Sequence, residues 1–150
     1  MTVEPEANTT SALDPRTRVV LPEGMVGLPD TTEFELVATE ESLPIMWLRS
    51  TGAERLSFPV VEPGQFVPDY KLELNDADAA FLDDSSAPLV LTVLTVRSLA
   101  PQKATINLVG PIVINRQTLQ GKQVLLANSE RYSVAHPIID ETAPAKVGTC

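Results

Sequence analysis

Proline recurs thirteen times in this 150-residue chain and falls mostly at the ends of its apolar runs. A proline gives no N–H to a β-ladder and cannot continue a helix, so it punctuates rather than fills regular structure. The runs left between these stops are short, and short apolar or alternating runs fold as strands. Arg16 to Leu21 is β-rich and ends at Pro22 and Gly24. Thr32 to Ala38 alternates, with Phe34, Leu36 and Ala38 on one face and Glu33 and Glu35 on the other. That is a strand with one wet side. Pro44 to Arg49 and Leu56 to Val61 flank the turn signal Ser50-Thr51-Gly52. Pro59 lies inside its run, which predicts an edge or a bulge there. Pro88 to Val96 is rich in Leu, Val and Thr and predicts a central strand buried on both faces. Lys103 to Val109 alternates again, with Ala104, Ile106 and Leu108 inward. Pro111 to Asn115 and Gln123 to Ala127 follow, separated by a hairpin loop over Arg116 to Lys122. About seven or eight short strands predict an all-β domain, a sandwich or a small closed barrel, antiparallel and barrel-like with one short helix.

One short helix interrupts the strands, over Asp76 to Leu82. Asn75 stands where a side-chain oxygen caps the first turn, and Asp76 and Asp78 suit the positive end of the helix dipole. Leu74, Ala77 and Phe81 define its expected inner face. The domain spans residues 16–139. Residues 1–15 read as a loose polar leader and residues 140–150 as a loose tail. A chain of this length buries about 68–70% of its unfolded surface and needs no staples.

Charge narrows the function. The net charge is −9, and residues 1–96 hold seventeen acids against five bases while residues 97–150 hold three against six. Nucleic-acid binding draws on Lys and Arg neutralising phosphates, so this balance disfavours direct DNA or RNA contact. It favours a basic protein partner, although acidity also serves solubility alone. The longest charge-free apolar run, Ala87 to Val96, falls well short of the roughly 20 residues a membrane helix needs. The single cysteine, Cys150, forms no internal disulfide, and the first residues carry no apolar secretory core. The expected setting is the cytoplasm, with no membrane association.

Chemistry is sparse. His136 is the sole histidine, and it precedes Pro137, which predicts an extended residue at a strand end. Ser129 and Ser133 lie near it in sequence without a Gly-x-Ser-x-Gly motif around either. Asp76, Asp78, Asp83 and Asp84 cluster, but neither the glycine nor the closing Glu of a calcium loop is present, so they read as solvated helix ends. Pro22 to Gly27 has two glycines and no Lys-Ser/Thr, which makes it a turn rather than a phosphate loop. A binding protein with no cofactor, no metal and no catalytic residue is therefore expected. The alternative is a small β-barrel hydrolase or a metal-dependent enzyme.

Trp47 and Phe58 fall within strand patterns and are expected in the core. Phe66, Pro68, Asp69 and Tyr70 instead occupy the proline-punctuated loop Glu62 to Tyr70. Aromatic residues on loops often anchor partners. A loop folded back to cap an open barrel end accounts for them equally.

Several stretches, in order, resemble the flagellar assembly factor FliW family. They are Leu21-Pro22-Glu23-Gly24-Met25-Val26-Gly27-Leu28-Pro29, Trp47-Leu48-Arg49-Ser50, Leu56-Ser57-Phe58-Pro59-Val60-Val61-Glu62-Pro63 and Pro68-Asp69-Tyr70. Ala104 to Asn115, Gly121-Lys122-Gln123-Val124, Tyr132 and His136-Pro137 complete the match, over roughly residues 18–138. Leu28, Glu62 and Pro59 depart from the residues common in the family. The resemblance implies a small β-barrel-like fold, and a protein that binds flagellin and antagonises the translational repressor CsrA, so relieving repression of flagellin translation. A chain that is monomeric when free, with CsrA and flagellin as partners, follows from it. Asn107 and Asn115, polar positions in the matched stretch, join the four loop residues as candidate contacts. The other reading for both amides is a buried role, bonding backbone at strand ends.

Overall fold

The computed structural model describes residues 2–3, 16–52, 55–82 and 88–140. The order of elements is β1 (Thr2–Val3), β2 (Arg16–Val20), β3 (Glu33–Val37), β4 (Met46–Ser50), β5 (Ser57–Val61) and β6 (Leu72–Glu73). After these come α1 (Asp76–Phe81), β7 (Leu89–Leu99), β8 (Gln102–Ile106), β9 (Ile112–Ile114), β10 (Gly121–Gln123) and β11 (His136–Asp140). Every ladder is antiparallel, and the main path runs β10-β9-β7-β5-β4-β3-β2. β8 pairs with β7 and β11, and β1 pairs with β6.

The two ends of that path curl toward each other. Val20 N–H donates to Leu119 O at 3.0 Å, and a lone bridge joins Val20 to Gln120. One bridge is not a ladder, so the sheet is barrel-like and open. Leu119 adopts a left-handed φ of 58° to present that carbonyl.

The centre of the sheet is a wall between two cores, as side-chain alternation requires. Leu89, Leu91, Ile112, Ile114 and Val60 face one core, with Val19, Phe34, Leu36 and Leu48. Val90, Leu94, Val113 and Val61 face the other, with Tyr70, Leu72, Ile106 and Leu126. Thus β5, β7 and β9 are apolar on both sides, as the run Pro88 to Val96 predicts as far as Leu94; Thr95 and Val96 are exposed. Thr92 is a polar member of the wall and is fully buried; its hydroxyl donates to Val61 O at 3.1 Å. Ala104, Ile106 and Leu108 point inward as expected.

Several expectations need correction. Pro59 is not on an edge strand, because β5 lies between β4 and β7. The β5–β7 ladder, however, holds only Val60 to Val93 and Val61 to Thr92, and stops one residue short of Pro59. Trp47 and Phe58 are half-buried rather than core. The strand after the 115–120 loop starts at Gly121, not Gln123, and His136–Asp140 forms a further strand. The helix is capped as predicted, with Asn75 Oδ1 accepting from Asp78 N–H at 2.8 Å. Its buried face differs: Leu74, Asp78 and Leu82 turn inward, while Ala77 is exposed. Asp78 is therefore not a solvated helix end. Asp83 and Asp84 lie outside the described residues.

Candidate functional site

The loop after β5 begins with a turn of 3₁₀ helix over Pro63–Gln65. Phe66 and Val67 N–H both return to Pro63 O, and Tyr70 N–H to Val67 O, so the loop folds as overlapping turns. Tyr70 is buried at 1% exposure. Its hydroxyl donates to Leu108 O at 2.6 Å, and its ring meets Tyr132 edge-on, with centroids 4.8 Å apart. Burial holds the Tyr70 phenol above its ordinary pKa, and Tyr132 adds to this. Tyr132 Oη in turn accepts from Lys71 N–H at 2.9 Å, and Asn128 Nδ2 donates to Lys71 O at 3.2 Å. The Tyr70 side chain fastens the loop to the 107–110 turn and is closed to a partner. Phe66 is half-buried against the same core. Pro68 and Asp69 form the exposed tip. Both readings of the loop thus describe part of it: the aromatic residues cap a core, and the tip faces solvent.

The two asparagines organise turns. Asn107 Oδ1 accepts from Val109 and Gly110 N–H, each at 3.0 Å. Asn115 is 5% exposed; its Oδ1 accepts from Gln117 and Thr118 N–H, and its Nδ2 donates to Leu82 O at 3.0 Å. Asn115 therefore ties the turn before β10 to the end of α1. Glu62, at the root of the loop, is buried at 3% exposure. Desolvation pushes its carboxyl up to about 7, with the Arg116 charge opposing, and Gln65 Nε2 donates to it at 3.4 Å.

Residues that sequence reasoning did not single out join these parts. Gln123 Oε1 accepts from Val26 N–H at 2.8 Å, and its Nε2 donates to Gly110 O at 3.0 Å. One side chain thereby couples the 21–29 loop, the 107–110 turn and β10. Lys122 Nζ lies 2.8 Å from Asp78 Oδ1 and 3.4 Å from Glu23 Oε2, and 5.9 Å above the Phe81 ring. The hydrogen bond to Asp78 is the main cause of a raised Lys122 pKa. Gly24 has φ 68°, and a Cβ there would meet Leu28 O at 2.1 Å, so the tight loop admits no larger residue without moving. That loop lifts Val26 to 81% exposure, and Leu125, two residues past Gln123, is 67% exposed. The signal for this cluster was the three matched stretches 21–29, 104–115 and 121–124, which are distant in sequence and contiguous in space.

Among the described residues no group of three His, Cys, Asp or Glu is placed to hold a metal ion. His136 lies in β11 opposite Ile106, and Ser133 Oγ accepts from Ala135 N–H. Among the described residues no helix is long and apolar enough to cross a membrane.

Comparison with known proteins finds related chains and a related fold. Residues 2–138 match the family described as FliW protein. The chain is 33% identical over 125 residues to the flagellar assembly factor FliW of Natranaerobius thermophilus, covering 82% of each chain. It is 39% identical over 121 residues to that of Pseudothermotoga lettingae, covering 79% of this chain and 76% of the relative. A crystal structure of the flagellar assembly factor FliW superposes with a TM-score of 0.71 at 30% identity, over 84% of this chain and 88% of the other.

Proposed function

Because this chain belongs to the FliW family of flagellar assembly factors, we propose that it works by binding two proteins in turn, flagellin and the translational repressor CsrA. Export of flagellin frees the chain, the free chain captures CsrA, and translation of flagellin resumes. The reading is of a binding protein, monomeric when free and acting in the cytoplasm, without catalysis and without direct nucleic-acid contact. Its main support is the spatial convergence of the matched stretches around Gln123, which holds an exposed apolar residue, Val26, on a tight hydrogen-bonded loop. Exposed apolar side chains on rigid loops serve as interface anchors. The exposed tip Pro68–Asp69 is proposed as a second contact, and Phe66 as its half-buried support. Asn107 and Asn115 are proposed to act by shaping the turns. Acidic residues outnumber basic ones throughout the first 96 positions, which suits the approach of a basic repressor and repels RNA phosphate.

The test uses purified protein. Mixed with CsrA, it should form a complex and release CsrA from a flagellin leader RNA. Absence of a complex at micromolar concentrations sinks the regulatory half of the proposal. The association rate should fall as salt rises, since exposed charges are screened; a rate that ignores salt removes the electrostatic part.

A further inference from the structure

The hairpin formed by β7 and β8 stands apart from the rest of the surface. β7 is buried through Leu94, and then Thr95, Val96 and Arg97 are exposed. Val96 is 51% exposed and Leu99 82%. On one side β7 pairs with β8 from Leu94 to Leu99. On the side of β5 the ladder ends at Val93, and the next residue outward on β5 is Pro59, which brings no N–H to continue it. Among the described residues no strand pairs with β7 beyond that point. On the β5 side the backbone N–H and C=O groups of this stretch thus have no ladder partner among the described residues, which makes it a template for another strand.

Other edges of the sheet are guarded. β2 is tied at Val20 to the 115–120 loop. β11 carries Pro137 and a register shift between Pro137 and Ile139. On β7 the one irregularity is a register shift at Arg97, whose Nε donates to Thr105 Oγ1 at 3.1 Å.

The charge here is opposite to that of the whole chain. From Ser85 to Ser129 there is no acidic residue in a protein of net charge −9. Of the bases in that stretch, Lys122 is neutralised by Asp78 and Glu23 and Arg116 is half-buried, which leaves on the hairpin Arg97, exposed, and Lys103, half-buried and opposite Asp140 in the β8–β11 ladder. Because β5 runs antiparallel to β7, the β4–β5 connection lies toward the same end of the sheet, and it adds exposed Arg55, which follows Glu54 in sequence. Arg49, on β4, stands directly opposite Glu35 of β3, so its charge is offset there.

We propose that the open edge of β7 over Val96 to Leu99, flanked by Arg97 and Lys103, is a docking edge for an extended acidic segment of a partner protein, which adds to the sheet as a strand. Backbone bonds supply affinity in such an addition, and alternate side chains supply specificity. Val96 and Leu99 would take the apolar side chains of the segment, and the bases its carboxylates. A second copy of this chain fits poorly, since it would bring Arg97 and Lys103 against their own kind. The assignment stands on the edge and its charges and is separate from the flagellin and CsrA reading.

Fluorescence anisotropy with a labelled peptide alternating Glu and Val, titrated with the full chain, tests this. The peptide should bind, and a Lys/Val peptide should not. The double variant Arg97→Glu with Lys103→Glu should weaken binding about tenfold, in the range expected for losing two surface charge pairs. Arg97 is exposed and Lys103 half-buried, so the variant's unfolding midpoint is measured first and binding is compared where both proteins are folded. The same Glu/Val peptide N-methylated at alternate amides should lose binding to the unaltered protein, because it cannot complete a ladder. Equal binding of the methylated peptide, indifference to the charge reversal, or no binding of the parent peptide would each overturn the proposal. So would a concentration-dependent dimer in sedimentation that the double variant abolishes.

Discussion

Removing one oxygen atom, in Tyr70→Phe, tests whether the 62–70 loop is locked to the barrel end. The hydroxyl donates at 2.6 Å to the carbonyl of Leu108, and both residues are essentially buried, at 1% exposure each. Phenylalanine keeps the ring and its edge-on contact with Tyr132, so the change isolates the hydrogen bond. A buried acceptor that loses its donor costs about 1–3 kcal/mol, because no water replaces it in the folded state. A loss of about 2 kcal/mol is expected. With a urea slope of about 2 kcal/mol per molar, the midpoint should fall by about 1 M. Trp47 is the sole tryptophan and half-buried, so its fluorescence can follow the transition. Tyr132→Phe is the control: it removes the acceptor of an exposed bond from Lys71 N–H, which water can replace, and should cost less than about 1 kcal/mol. Tyr70→Ala removes the ring as well and should cost about 4 kcal/mol in total. If Tyr70→Phe lowers stability by less than about 0.5 kcal/mol, or no more than Tyr132→Phe, the lock does not exist as described.

Three further outcomes follow from the same geometry. Lys122→Met leaves Asp78 buried without its ion partner and should cost about 2–3 kcal/mol; adding Asp78→Asn should recover part of the loss, which a double-mutant cycle in urea reads directly. Glu62 has a folded-state carboxyl raised from 4.5 to about 7, so the folded protein binds the extra proton between those values. Its contribution is therefore highest at low pH and is lost as pH rises from about 4.5 through about 7. Glu62→Gln should flatten that pH dependence and raise stability at pH about 8 by about 2 kcal/mol, whereas an unchanged slope would show that Glu62 does not titrate there. Gly24→Ala drives a Cβ into Leu28 O at 2.1 Å from a left-handed backbone, and should cost about 2 kcal/mol or more in thermal or urea unfolding while disturbing Val26.

The electrostatic picture divides the molecule's proposed work. Acidic residues dominate positions 1–96, and the acid-free stretch from Ser85 to Ser129 carries the hairpin. On the two proposed readings, partners of different charge are recognised without sharing a site.

The amino-acid order alone determined the strand register of this protein wherever burial is one-sided. In Thr32 to Ala38 and in Lys103 to Val109 a one-residue slip would turn Phe34, Leu36, Ala104 and Ile106 to water, so the pattern admits one solution. The apolar run before Val96 likewise announced a strand with protein on both faces, and Asn75 announced the start of the helix. The matched stretches were legible too, and with them the family. Only the tertiary structure decided which polar groups go inside and which apolar ones stay out. Asp78 is buried because Lys122, more than forty positions away, meets it on the folded surface. Tyr70 became a lock because Leu108 offers a carbonyl across the barrel end, while Val26 stayed exposed because Gly24 and Gln123 hold its loop outward. The open edge of β7 was equally invisible in the order of residues, since a ladder that stops at Val93 is a property of two strands and not of either one. Local periodicity carries information about neighbours in the chain; long-range hydrogen bonds and ion pairs depend on which strands come together, and that is settled only when the cores close.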